Sequence, residues 1–131
     1  MKRLAVLAAL VGGFALPAAA QDAIPDGDAA AGERIFARCK ACHVLEEGTN
    51  RVGPSLYGLF GRTAGSVEGF RYSEANKNSG VVWNDETLFA YLENPRAYMP
   101  GNRMAFGGLR DAQQRADVIA YLKANTGPAT E

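Results

Sequence analysis

Both cysteines and the single histidine of this 131-residue chain fall in one pentapeptide, Cys39-Lys40-Ala41-Cys42-His43. The spacing C-x-x-C-H puts two thiols and an imidazole on one short helical turn. Thioethers from Cys39 and Cys42 to the vinyl groups of a porphyrin, with His43 on the iron, use all three at once. The cofactor expected is therefore one covalent haem c, and the rest of the chain must fold as its wrapping.

Other uses of the pentapeptide fail on counting. A closed structural zinc site wants four Cys or His ligands, and the chain has three. A thioredoxin-like pair would sit beside a strand-helix-strand pattern, which is missing here. A disulfide across so small a loop would stabilise little.

Residues 1–20 read as a cleaved secretory signal: Lys2 and Arg3, an apolar run from Leu4 to Leu16, then Pro17-Ala18-Ala19-Ala20 as a small-residue cleavage site before Gln21. No later segment is apolar enough to span a bilayer, so no transmembrane anchor is expected after cleavage, and the periplasm is the expected location. Formal charge is balanced, 14 Lys and Arg against 14 Asp and Glu, and turns slightly acidic once Lys2 and Arg3 are removed. That excludes a nucleic-acid binder. Asp22, Asp26, Asp28 and Glu33 make the N-terminal stretch acidic, whereas Arg96, Arg103 and Arg110 spread positive charge ahead of the last helix.

Residues 21–27, with Pro25 and Gly27, are expected to form a short flexible tail, and residues 28–127 one domain. Asp28 is a candidate N-cap for a helix through Ile35 and Phe36 into the cysteine turn. From Leu45 to Gly69 the chain is glycine-rich and aperiodic, a long loop that needs something apolar to wrap. Ser73 to Asn78 suggests a turn or two of helix. Asn84 caps a helix with Leu88, Tyr91 and Leu92 on one face, stopping at Asn94 before Pro95. Asp111 with Gln114 resembles a capping box for the last helix, whose apolar stripe is Val118, Ile119 and Leu122 and whose stop is Gly127-Pro128. No strand alternates convincingly, so the fold class is all-α.

With His43 on one side of the iron, the opposite ligand must be Met99, Met104, a lysine or nothing. A soft thioether suits an electron carrier because it favours ferrous iron. Met99 precedes Pro100 and is biased to extended backbone, which leaves the choice open.

From Gly32 to Asn125 the chain resembles the class I cytochromes c, close to the small soluble mitochondrial and purple-bacterial proteins. The matching runs are GPSLYGLFGR (53–62), GFRYSEANKN (69–78), WNDETLFAYLENP (83–95), YMPGNRMAF (98–106) and AYLK (120–123). The resemblance implies three main helices plus short helices and loops around the haem, with Met104 as distal axial ligand to match His43. It implies that the Pro54 carbonyl accepts the His43 ring N–H, that Tyr91 bonds near the Met104 sulfur, and that Arg62, Tyr72, Asn76 and Trp83 satisfy the haem propionate. Gly32, Phe36 and Tyr121 resemble the crossing of the terminal helices, and Phe106 the aromatic residue beside the haem edge.

The function implied is that of a soluble one-electron carrier, not an enzyme, cycling iron between Fe(II) and Fe(III). Its partners would be a reductase and an oxidase or reaction centre, reached by transient docking at the haem edge, and the chain would be a monomer. The charges depart from the mitochondrial pattern: Arg38, Arg51, Arg96, Arg103 and Arg110 replace a lysine-rich face, and Arg115 on the last helix is not expected at that rim. The competing expectations are a peroxidase or gas-binding haem protein with a labile distal ligand, against which the lack of a second histidine argues, and a subunit dedicated to one dehydrogenase or oxidase.

Overall fold

The computed structural model describes residues 23–128, and the leader expected over residues 1–20 lies outside them. Five helices follow in order: α1 (Ala29–Phe36), α2 (Glu74–Lys77), α3 (Asp85–Glu93), α4 (Pro95–Tyr98) and α5 (Ala112–Asn125). Among the described residues the extended pairing is limited to one isolated antiparallel bridge, Thr63 to Val82.

The three longer helices begin where short polar side chains satisfy their first amides. Asp28 Oδ1 accepts from Ala30 and Ala31 N–H at 2.8 and 3.3 Å, and Asp111 Oδ1 accepts from Gln113 and Gln114 N–H at 2.8 and 3.2 Å. Each such cap is worth about 1 kcal/mol. The reciprocal capping box expected at Asp111 and Gln114 forms at α3 instead, where Asn84 Oδ1 accepts the Thr87 amide and Thr87 Oγ1 accepts the Asn84 amide. A threonine hydroxyl replaces the usual longer acceptor. Helix α4 was not expected from the sequence. Asn94 ends α3 and caps α4, accepting from Ala97 N–H at 3.2 Å, while Pro95 takes the first helical position, where its missing N–H costs nothing.

Helices α1 and α5 cross in contact. A Cβ on Gly32 would fall 2.0 Å from the Asp117 carbonyl oxygen and 2.8 Å from Tyr121 Cβ, so the backbones meet only because position 32 has no side chain. Phe36 and Tyr121 stack beside the crossing with ring centroids 5.2 Å apart. Phe36, Trp83, Leu88, Val118, Ile119 and Leu122 are buried in one cluster that α3 joins from the side. Burying side chains of this size stabilises by about 1.5–3 kcal/mol each.

The tail expected to be loose through residue 27 is tied down at its end. Gln113 Nε2 donates to the Asp26 carbonyl at 2.8 Å and to Asp117 Oδ1 at 2.9 Å, and Asp117 Oδ1 also accepts the Asp28 amide at 2.8 Å. Its bond with the Asp28 amide, and then that with Gln113, holds the Asp117 carboxyl below its ordinary value. A lowered folded value means that this stabilisation is complete above the unfolded pKa near 3.9 and fades as pH falls through the folded one. Thermal melts between about pH 6 and 3 should therefore lose less stability in Asp117→Asn than in the unmodified protein; parallel losses would show that Asp117 does not carry this part of the acid sensitivity.

Candidate haem site

The cysteine turn continues directly from α1. Lys40 N–H donates to Phe36 O at 3.2 Å and His43 N–H to Cys39 O at 2.9 Å, so the C-x-x-C-H segment closes as a helical turn after the regular helix has stopped. Cys39 and Cys42 are free, partly buried thiols. Burial raises the Cys39 thiol pKa against the opposing pull of Arg38.

The returning loop fixes the imidazole. Gly53 N–H donates to Cys42 O at 2.8 Å, and His43 Nδ1 lies 2.7 Å from the Pro54 carbonyl. A carbonyl only accepts, so Nδ1 carries the proton and Nε2 keeps its lone pair for a metal. Burial, the largest effect, holds the His43 pKa below its ordinary value, which keeps the ring neutral as a ligand must be. Gly53 lies directly against the ring: a Cβ there would be 2.4 Å from His43 Cε1.

Met104 sits on the loop between α4 and α5, braced by Asn102. Asn102 Nδ2 donates to the Pro95 and Met99 carbonyls at 2.7 and 2.9 Å, and its Oδ1 accepts the Met104 amide at 2.9 Å. Tyr91 Oη donates to Met104 Sδ at 3.6 Å. Burial pushes the Tyr91 phenol up to about 12, so it remains a donor across the physiological range. Met99 is only 4% exposed, within the core cluster, whereas Met104 is partly exposed at that cluster's edge.

Arg62, Tyr72 and Trp83 converge through the long loop. The Thr63 to Val82 bridge sets Trp83 N–H on Arg62 O at 2.9 Å. One arm of Arg62 donates to Tyr57 O at 2.7 Å. Tyr72 Oη accepts from Val67 N–H at 3.3 Å, and burial raises its phenol pKa while Arg62 nearby opposes the rise. Asn76 is bound locally, its amide on Ser73 Oγ at 3.1 Å and its carbonyl on Ser79 Oγ at 3.0 Å. Sequence reasoning missed two supports. Asn102 carries a short-range signal, since asparagine commonly accepts an amide two residues on. Arg103, read only as surface charge, also donates to Tyr72 O at 3.1 Å, thirty-one positions away.

These residues fit a haem on donor chemistry alone. Two thiols, an oriented neutral imidazole with a free nitrogen, and a soft sulfur on a braced loop are present, and Cys39 and Met104 pack against the same apolar cluster as Leu45, Leu56, Phe60 and Phe106.

The family model described as Cytochrome c matches residues 29–126. A cytochrome c of Gibberella zeae is 56% identical over 102 residues, spanning 76% of this chain and 96% of that protein. A cytochrome c of Stellaria longipes is 54% identical over 103 residues, 77% of this chain and 95% of its own. Among solved structures, cytochrome cH from Methylobacterium extorquens matches with a TM-score of 0.71 and 46% identity, covering 75% of this chain and 99% of that one.

Proposed function

Because the chain belongs to the cytochrome c family and carries one covalent haem c, we propose that it is an exported, periplasmic electron carrier that shuttles between a reductase and an oxidase or reaction centre. Haem supplies the one-electron Fe(II)/Fe(III) couple. Cys39 and Cys42 would hold it covalently, and His43 and Met104 would give its iron a nitrogen and a sulfur donor.

The observation that carries this reading is that both side chains that would bind the iron are fixed by bonds of their own, His43 to Pro54 O and Met104 Sδ to Tyr91 Oη. Donors held in this way need not move when charge changes, so the protein reorganises little on transfer. Arg62, Tyr72, Asn76 and Trp83 supply polar hydrogens for a propionate that would be costly to bury unpaired. The export signal before Gln21 and the covalent attachment favour a compartment from which a loose cofactor would be lost. The relatives named above include eukaryotic and bacterial proteins, so the leader carries the periplasmic assignment.

Arg38, Arg51, Arg96 and Arg103 are exposed and would steer a partner with an acidic patch. Stopped-flow oxidation by such a partner should slow by about tenfold as salt rises from low to physiological strength. Arg103→Glu should slow association more than Arg34→Glu, an exposed residue in the last turn of α1. A rate indifferent to salt and to Arg103 would indicate apolar docking or a permanent subunit. Rapid carbon monoxide uptake by the unmodified reduced protein would instead favour a gas-binding or peroxidase role.

A further inference from the structure

Arg115 is a buried cation whose carboxylate partner, Glu93, is held only loosely. Its side chain is 6% exposed, and its Nη1 stands 3.9 Å from Glu93 Oε1, beyond hydrogen-bond reach. The same Nη1 donates to the Leu109 carbonyl at 2.7 Å and the Arg110 carbonyl at 2.9 Å. The guanidinium lies over the Phe89 ring, 4.2 Å from its centroid, and Nε is buried without a partner. A buried charge of this kind adds little stability over an apolar side chain of similar volume. What distinguishes it is what it holds.

Leu109 and Arg110 end the loop that carries Met104. The Leu109 amide also donates to Leu92 O at 2.7 Å, so this end of the loop is tied to α3 through one bond and to α5 through Arg115. At the other end Asn102 ties the Met104 amide to the turn after α4. Between them, the backbone bond of the described residues is Phe106 N–H to Met104 O at 3.0 Å, which lies inside the loop and anchors it to nothing else. Met104 therefore lies between two anchored ends, with Arg103 Nη2 on Tyr72 O beside it and its own sulfur on Tyr91 Oη. Releasing Arg115 leaves this end on the Leu109 amide alone, so the loop opens more often without unfolding the core.

We propose that Arg115 is a positioning residue which, by clamping the Leu109 and Arg110 carbonyls, keeps the Met104 loop closed and sets how often the distal position opens to outside ligands. The proposal rests on Met104 being the distal ligand. A charged donor shared by two carbonyls is a strong anchor at an end of the loop whose other bond, Leu109 N–H to Leu92 O, is neutral. Lysine cannot replace it fully, because an ammonium lacks the planar fork and does not lie flat on Phe89.

The test uses the ferric haem-bound protein and imidazole as the incoming ligand, at concentrations where the binding rate has levelled off and reports loop opening. Arg115→Gln should raise that limiting rate by about tenfold or more, with the methionine-to-iron charge-transfer band still present before imidazole is added. Arg115→Lys should fall between the two. Asp117→Asn, which cuts a clamp on the same helix that does not touch the loop, should stay within about twofold of the unmodified protein. The proposal is overturned if Arg115→Gln and Asp117→Asn, compared at equal denaturation midpoint, open at the same rate. If Arg115→Gln does not accumulate, Arg115→Lys decides, and an unchanged limiting rate overturns the proposal. Failure of the Met104 assignment looks different: the unmodified protein would then lack the charge-transfer band and bind imidazole at once.

Discussion

Replacing Met104 with alanine should abolish the ferric methionine-to-iron charge-transfer band, admit carbon monoxide to the reduced iron and lower the reduction potential by on the order of hundreds of millivolts, within the roughly 0.8 V that axial ligands span. The reasoning is chemical and positional. A thioether stabilises the ferrous state, and the Tyr91 hydroxyl, held neutral by burial, donates to the Met104 sulfur at 3.6 Å. Met99→Leu is the decisive comparison. Met99 is 4% exposed in the core cluster, and leucine conserves its volume, so the change should cost less than about 1.5 kcal/mol and leave band, potential and carbon monoxide reactivity nearly unchanged. If Met99→Leu causes the spectral loss and Met104→Ala does not, the two methionines have been assigned in reverse.

The chemistry legible in the sequence was the chemistry that lies close along the chain. The C-x-x-C-H turn, the caps at Asp28, Asn84 and Asp111, and the stop at Asn94-Pro95 each join atoms a few residues apart, where the covalent chain already limits geometry. The choice of Met104 over Met99 came from resemblance, because nothing local separates two methionines five positions apart. Long-range pairings were not legible. Asp117 reaches Asp28 across 89 positions and Gln113 reaches Asp26 across 87, and an aspartate or glutamine inside an amphipathic helix looks solvent-facing until a partner segment covers it. Arg115 is the sharpest example. Arginine is rarely buried, so its burial became visible only once Leu109, Arg110 and Phe89 had been placed around it. Helix α4 escaped notice because a four-residue segment shows no period.

Gly32→Ala should be strongly destabilising, despite placing a better helix former in the middle of α1. Propensity alone favours alanine by about 1 kcal/mol. Against that gain, the new Cβ would lie 2.0 Å from the Asp117 carbonyl oxygen and 2.6 Å from its carbon. These are backbone atoms of α5, so no rotamer change relieves the clash and the helices must separate. Separation loosens Phe36 against Tyr121 and lengthens the bond from Asp28 N–H to Asp117 Oδ1. Overpacking of this kind costs up to about 3 kcal/mol and occasionally more, so a net loss of about 2 kcal/mol is expected, a fall in melting temperature on the order of 10 °C. The cysteine turn begins where α1 ends, so the yield of covalently loaded protein should fall as well. Gly107→Ala supplies the comparison: no atom lies within 4 Å of its would-be Cβ, and its φ is not positive, so it should be neutral or stabilise by up to about 1 kcal/mol. A Gly32→Ala protein that melts with the Gly107→Ala protein would mean that α1 and α5 can part without cost, and that the crossing does not hold the haem-bearing turn in place.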